Sequence, residues 1–413
     1  MSLVAGISPG GSGSDTNPER KQRILIAGAS CRAAAQCAAR SGFYPIALDD
    51  FVDRDLIECA SAYPLAAIET WGVVQPFLPG LKCLLAGGIE NRPEILQRLI
   101  DSGARCGIDV PMLGLLRDPL QWQSWATKCG LNFPETLWHP IGGGIGNPIG
   151  TADSDRKWLC KSLSSAGGLG VQFCDDPTHC FEGSGASNVY WQRFVNGRPI
   201  GITFLSAAGR SQFVGAALSI GGQRDCSPLP FLYRGNIAPL EIRDAERERL
   251  EGFAHAVHQS TGIRGLWQAD WIVNHEGWWL LEINPRWSAS MELLDPLYGN
   301  RLIANHVEAL GDTPAFVTLP CIPETLFLGK LVLYATRDYQ PSYSDLEWMW
   351  SRRWNGSSNL PSESEGLADI PNTEALIPCG YPVLTCLVGT QRWEDVSRAL
   401  ERITLEVRRK LGI

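Results

Sequence analysis

The chain has 413 residues, 36 of them basic and 44 acidic, for a net charge of −8. An acidic balance of this kind excludes a general binder of nucleic acid or of acidic membrane surfaces and favours small-molecule partners. With 44% apolar residues and no apolar run long enough for a membrane span, the sequence can fill the cores of two or three domains. The start lacks a signal-peptide layout, so a cytoplasmic protein is expected. Thirteen cysteines, scattered and without a Cys-x-x-Cys pair, read as reduced and mostly buried thiols.

Residues 1–22 carry Pro-Gly-Gly-Ser-Gly-Ser and little to bury, and are expected to be disordered. A short buried strand follows at Ile24 to Ala27, then a tight turn at Gly28-Ala29-Ser30. An alanine-rich helix from Arg32 to Ser41 and a strand from Tyr44 to Leu48 complete a βαβ opening. Gly28 to Ala33 is not Gly-x-Gly-x-x-Gly, so the dinucleotide fingerprint is missing, although Asp49 stands where a ribose partner would. Lys82 to Ala86 reads as a further strand ending in Gly87-Gly88, with Glu90-Asn91-Arg92-Pro93 opening a helix; such a strand-end turn faces a ligand crevice.

A domain boundary is placed near 117. Leu120 to Gly130 reads as helix, Phe133 to Leu137 as extended, and Ile141 to Gly150 as a glycine-rich connection. Two strands, Trp158 to Lys161 and Val171 to Phe173, flank a loop of small residues. In it, Ser164, Ser165, Gly167, Gly168 and Gly170 leave amides that can close over phosphates, with Lys161 supplying charge; an ordinary glycine-rich hairpin turn fits the same residues, and no P-loop pattern occurs. Arg243 to Ser260 is a charged amphipathic helix. His255 and His258 on it have no carboxylate or cysteine partner nearby and read as helix surface.

Residues 267–287 read as two strands joined by a turn. A three-residue loop, His275-Glu276-Gly277 with Gly277 left-handed, would pair Asn274 with Trp278 and set Asp270 opposite Glu282. Alternation then puts Gln268, Asp270, Glu282 and Asn284 on one face and Trp267, Ala269, Trp271, Val273, Trp279, Leu281 and Ile283 on the other. Two opposed carboxylates repel and call for a cation, and hard oxygen ligands with an amide oxygen suit Mg²⁺; a solvated hairpin face is the plain alternative. Pro285 stops the ladder and Arg286 follows as a fixed cation. Ser288 to Glu292 reads as a helix start with a serine N-cap and glutamate in the first turn. Its N-terminus beside Arg286 suits an anion, a phosphate or a carboxylate, and equally suits plain capping. Beyond lie a strand at Lys330 to Ala335, a polar loop reaching Glu365, a further strand at Gly380 to Thr385, and a closing helix from Trp393 to Leu411.

The run Leu-Glu-Ile-Asn-Pro-Arg at 281–286, with Asp270 twelve residues before Glu282, resembles the metal-binding end of ATP-grasp enzymes. The order of lysine-bearing strand, glycine loop, hinge strand and metal hairpin is similar to theirs. The resemblance implies an α/β and α+β ATP-grasp fold: a Rossmann-like pre-ATP-grasp domain over 23–116, an ATP-grasp domain over 117–318 with its central subdomain at about 130–195, and a small β-rich C-terminal cap of the biotin-carboxylase type over 319–413. It implies ATP and Mg²⁺ as cofactors, with the metal on Asp270, Glu282 and Asn284, phosphates on Lys161 and the 162–170 loop, and adenine against the hinge at Gln192, Arg193, Phe194 and Val195. Arg286 would steady an acyl phosphate, and Ser288 and Ser290 would meet substrate. The chain departs from the pattern where Gln192 or Arg193 replaces the hinge acid, where Pro199 stands at the ribose acid, and where Arg117 and Lys128 are the cations nearest the position of a missing lysine.

The activity implied is that of an ADP-forming carboxylate-amine ligase working through an acyl phosphate on small-molecule acid and amine substrates, with no nucleic-acid or membrane partner and with room for a homodimer. A ligation of an amino acid or glutamate in methanofuran or tetrahydromethanopterin coenzyme synthesis is the specific expectation. The rivals are a noncatalytic nucleotide-binding module and an oxidoreductase holding nicotinamide near Gly28.

Overall fold

The computed structural model describes residues 21–66, 68–138, 157–174, 189–221, 229–311, 326–356 and 363–413. The Ile141 to Gly150 connection, and all but Lys21 and Gln22 of the start expected to be disordered, lie outside them. The strands described form three sheets, and each sheet takes consecutive strands of the chain. No helix among the described residues is long and apolar enough to cross a membrane.

The first sheet is parallel, in the order β3-β2-β1-β4, from β1 (Arg23–Ala27), β2 (Tyr44–Asp49), β3 (Ser61–Pro64) and β4 (Cys83–Leu85). Ile24, Leu25, Ile26 and Ala27 are all fully buried, as in a parallel sheet covered on both faces. Gly28 is needed for close approach: a β-carbon there would lie 2.6 Å from the Ala86 carbonyl carbon. Asp49 accepts from the backbone amides of Cys31, Phe51 and Val52 at 2.5, 2.7 and 2.6 Å, so its carboxylate closes its own turn and is not presented to a ribose.

The second sheet runs β5-β8-β6-β7, from β5 (Thr136–Trp138), β6 (Trp158–Ser162), β7 (Gln172–Cys174) and β8 (Val189–Arg193). The third has eight strands: β9 (Arg198–Ala207), β10 (Arg210–Ser219), β11 (Gly235–Ala238), β12 (Gly265–Asn274), β13 (Gly277–Asn284), β14 (Phe327–Tyr334), β15 (Ser364–Ala368) and β16 (Pro382–Thr390). Its order is β13-β12-β9-β10-β11-β14-β16-β15, antiparallel throughout. On one face Phe204, Trp267 and Trp271 meet Phe253 of the helix Asp244–Thr261, with ring centroids 4.7 Å apart for Phe204 and Trp267 and 5.1 Å for Phe253 and Trp271. Burying each such side chain contributes about 1.5–3 kcal/mol.

The hairpin reaches its expected pairing by another route. Asn274 pairs with Gly277, so the loop is the two residues His275 and Glu276, one shorter than expected. A two-residue loop alone would turn Asp270 onto the apolar face. A β-bulge restores the register: Trp271 pairs with Leu280 and Asp270 with Glu282, leaving Leu281 as the extra residue. The core face of β13 is therefore Trp278, Leu280 and Ile283, at 6%, 0% and 2% exposure, and not the expected Trp279 and Leu281, which are only partly buried.

Two further expectations change. The polar loop before Glu365 contains a helix, Tyr343–Ser351, started by a capping box in which the Ser342 side chain accepts from the Asp345 amide and Asp345 accepts from the Ser342 amide. His258 is not on the helix surface: it is buried at the helix end with Nδ1 2.7 Å from the Ile263 carbonyl, while His255 is exposed.

His306, on the helix Leu302–Ala309, docks on β12. Its Nδ1 accepts from the Leu266 amide at 3.1 Å and its Nε2 lies 3.3 Å from the Cys83 carbonyl. Burial pushes this imidazole down to about 4 from the usual 6.5. The unfolded chain takes up a proton near pH 6.5 that the folded chain refuses until about pH 4, so the stability present above pH 6.5 is lost as pH falls through that window. The loss should be on the order of 3 kcal/mol, and His306→Gln should flatten this part of the pH–stability curve, read by denaturant unfolding at stepped pH. Equal slopes for parent and variant would place the acid sensitivity elsewhere.

Candidate functional site

The polar row of the β12–β13 hairpin is built by register. Gln268 pairs with Asn284 and Asp270 with Glu282, so four polar side chains line one face over two rungs. Asn284 Nδ2 donates to Asp270 Oδ2 at 2.9 Å and to Glu282 Oε1 at 3.2 Å, and Gln268 Nε2 donates to Asp270 Oδ1 at 2.6 Å. One amide thus bridges both carboxylates. Burial, and then the charge of Glu282, push the Asp270 carboxyl up to about 7. Burial and mutual repulsion make it costly to charge both carboxylates, and a cation between them would lower that cost. Among the described residues no three His, Cys, Asp or Glu side chains gather at one point, so the third ligand would be the Asn284 amide oxygen, presented by turning the amide over. Two carboxylates and an amide oxygen form a hard-oxygen set that fits Mg²⁺.

Arg286 leaves the end of β13 with its guanidinium well used. It donates to Glu90 Oε1 at 2.8 Å, to Asn284 Oδ1 at 3.0 Å, to Ser288 Oγ at 3.0 Å and to the Trp287 carbonyl at 3.2 Å. Burial works to raise the Glu90 carboxyl, but the Arg286 charge outweighs it and holds the group below the usual range. Glu90, from the strand-end turn after β4, thereby ties the first sheet to the hairpin. Ser288 and Ser290 are both buried, and Ser290 Oγ donates to Gln268 Oε1 at 2.6 Å. The expected serine cap is absent: the helix is only Met291–Leu294, and the Ser290 side chain makes no capping bond. Glu292 in that turn instead receives Lys330 at 2.6 Å and Arg32, which also binds Asp369 at 2.8 Å.

Lys161, on β6, is buried and donates to Gln192 Oε1 on β8 at 2.7 Å. Burial lowers its ammonium against the raising effect of Glu282 and Asp270, so Lys161 is within electrostatic reach of the hairpin row. Arg117 is similarly felt by Glu90 and Tyr190, whereas Lys128 closes the helix Pro119–Lys128. In the glycine loop Gly167, Gly168 and Gly170 take φ of 63°, 77° and 76°. Ser164 and Ser165 are tied to Ser162, through the Ser164 amide at 3.1 Å and Ser165 Oγ at 2.9 Å. The loop leans on the segment before β11: the Tyr233 amide donates to the Gly167 carbonyl at 2.8 Å. The hinge side chains turn elsewhere. Arg193 binds Glu135 at 3.1 Å and stacks over Trp158, and Phe194 joins Phe173 and Phe231 with centroids 5.3 and 6.4 Å away. Val195 follows, partly buried.

Sequence reasoning did not find Tyr233 and Asn236, joined by a bond from Tyr233 Oη to Asn236 Oδ1 at 2.5 Å, nor Glu90 as the partner of Arg286. Glu90 carried a signal, its place after a buried strand; the other two carried none.

Residues 146–290 match the model of the ATP-grasp domain family. Across the whole chain the structure is similar to a biotin carboxylase in a β-γ-ATP complex from Campylobacter jejuni, at 12% identity and a TM-score of 0.64, covering 93% of this chain and 91% of that one. It is similar to N5-carboxyaminoimidazole ribonucleotide synthetase from Thermus thermophilus, at 15% identity, TM-score 0.63 and coverage of 92% and 97%. An L-amino acid ligase from Bacillus licheniformis matches at 14% identity, TM-score 0.64 and coverage of 93% and 97%. No curated protein sequence matches the chain.

The lean of the glycine loop is open to test. A β-carbon on Gly168 would overlap the Phe231 carbonyl, whereas one on Gly170 meets nothing within 4 Å. Both positions carry left-handed backbone, so Gly170→Ala should cost about 1–2 kcal/mol of local strain. Gly168→Ala should cost more and raise amide exchange in residues 164–170. Equal exchange in the two variants would show that the close approach does not hold the loop.

Proposed function

We propose, for a chain whose residues 146–290 are an ATP-grasp domain on an ATP-grasp fold, that the protein is an ATP- and magnesium-dependent carboxylate-amine ligase. The observation that carries this reading is the hairpin row, where Asp270 and Glu282 stand opposed with Asn284 bridging them and Lys161 in electrostatic reach. Asp270, Glu282 and Asn284 would hold Mg²⁺, which when bound offsets the triphosphate charge. Lys161 and the amides of the 164–170 loop would hold phosphates, and the backbone at Gln192 to Val195 would meet adenine.

In this reading the acid's carboxylate oxygen attacks the γ-phosphorus, the bond to the β-phosphate oxygen breaks, and ADP leaves. The acyl phosphate is then attacked by an amine nitrogen, which loses a proton as the carbon–oxygen bond to phosphate breaks. Products are an amide, ADP and phosphate. Arg286, held in place by Glu90 and the Trp287 carbonyl, steadies the acyl phosphate, and Ser288 and Ser290 border the substrate. The neighbour named as an L-amino acid ligase supports an amine acceptor. Ligation of an amino acid such as glutamate in one-carbon coenzyme synthesis is the pathway reading that the family resemblance supports.

Glu282→Gln keeps the shape and removes one ligand charge. Folding should survive, because repulsion with Asp270 is relieved, while phosphate release should fall roughly a hundredfold or more and its magnesium dependence should shift. Lys161→Ala should weaken MgATP binding by roughly tenfold with little change in melting temperature. Near-parent phosphate release by Glu282→Gln at every magnesium concentration would sink the metal assignment. A parent that binds ATP but releases no phosphate across a panel of acids and amines would be a noncatalytic nucleotide-binding module.

A further inference from the structure

Arg234 is a largely enclosed cation that faces no carboxylate among the described residues. The residue is 7% exposed, and its Nε is enclosed without a hydrogen-bond partner. Among the described residues no ion pair or side-chain hydrogen bond reaches its guanidinium. The neighbouring buried cations are matched: Arg286 by Glu90 at 2.8 Å, Lys330 by Glu292 at 2.6 Å, and Arg32 by Asp369 at 2.8 Å. Nε alone of its three nitrogens is buried without a partner, so the guanidinium has lost part of its hydration, which an incoming anion would restore.

Its position says where that ligand sits. Val332 donates to the Arg234 carbonyl at 2.7 Å, continuing the register Gly235 to Leu331 and Asn236 to Lys330. Alternation puts Arg234 on the face of Asn236 and Lys330. The opposite face, with Ile237, Leu331 and Leu333, packs into the C-terminal core. Lys330 bound to Glu292 identifies the first face as the one turned toward the helix that follows the hairpin. On the other side, the amide of the preceding residue, Tyr233, is bonded to the glycine loop at Gly167. Arg234 therefore stands between the proposed phosphate lid and the turn after Arg286.

The nucleotide phosphates have Lys161, the loop amides and the metal. Arg286 already spends four of its five N–H groups within the protein. Arg234 has no such partner among the described residues, and its planar fork matches a carboxylate. Building on the ligase reading, we infer that Arg234 is the receptor for the carboxylate of the acid substrate.

The test compares the full-length parent with Arg234→Met and Arg234→Lys, measuring melting temperature and binding of MgATP, inorganic phosphate, and a panel of acetate, succinate and L-glutamate. Arg234→Met should melt at or above the parent without ligand, since it loses an unmatched buried charge. It should bind MgATP like the parent and bind the best carboxylate of the panel roughly ten- to a hundredfold more weakly; Arg234→Lys should fall between. A lower melting temperature without ligand would make Arg234 a structural residue and overturn the inference. Weakened MgATP or phosphate binding with carboxylate binding intact would overturn it in favour of a nucleotide contact. A parent that binds MgATP but none of the carboxylates would also overturn it. Failure of the parent to bind MgATP strikes the ligase reading instead, and leaves the carboxylate comparison to be read by itself.

Discussion

A charge removed from water has to be met by another charge or give up its proton, and that constraint arranges the middle of this molecule. Arg286 is met by Glu90, Lys330 by Glu292, and Arg32 by Glu292 and Asp369. Each pair spans elements far apart in sequence, so the pairs also bind the first sheet, the hairpin and the C-terminal strands to one another. Asp270 follows the other branch of the rule, its carboxyl raised toward neutrality beside Glu282. Breaking one member of such a pair leaves the partner uncompensated, typically at about 3–5 kcal/mol. The network therefore stabilises an arrangement more than it adds stability, since well-packed apolar residues could fill the same space.

The site sits where three sheets converge because each contributes a different kind of group. The parallel sheet contributes Glu90 from a strand-end turn, the small sheet contributes Lys161 and Gln192 from adjacent strands, and the eight-stranded sheet contributes the hairpin row. The hairpin row rests on rigid strands backed by Trp267, Trp271 and Phe253, whereas the 164–170 loop is glycine-rich and leans on residues 231–233. A firm row beside a glycine loop suits the proposed nucleotide site, which would have to admit a bulky, highly charged ligand and then exclude water from it.

Much of this was legible in the chain, and the limits follow from range. The Asp270–Glu282 pairing comes from a turn one residue shorter than expected and a bulge that periodicity does not show, two offsets that cancel. The strands Ile24 to Ala27 and Trp158 to Lys161 and the closing helix, by contrast, depend on local periodicity and could be read directly. Glu90 with Arg286, or Lys330 with Glu292, could not, since no spacing marks a contact across 196 or 38 residues. His258 was misplaced because a polar side chain at a helix end can bend back onto the backbone beyond it. The helix Tyr343–Ser351 was missed because its capping box closes with aspartate and only Leu346 and Met349 are buried, a stripe too thin to stand out.

The bulge at Leu281 has a consequence for how this hairpin can change over time. The extra residue sits between two rungs that are each in register, Trp271 with Leu280 and Asp270 with Glu282, and the turn sits beyond the last rung, Asn274 with Gly277. A residue gained in the turn, or Leu281 lost, would therefore leave every rung paired as before and both faces intact. A residue gained or lost between Gly277 and Leu280 has no such slack: it would swing Trp278 outward or force a second bulge. The hairpin can thus change length at its turn and at its bulge, and resists a change between them.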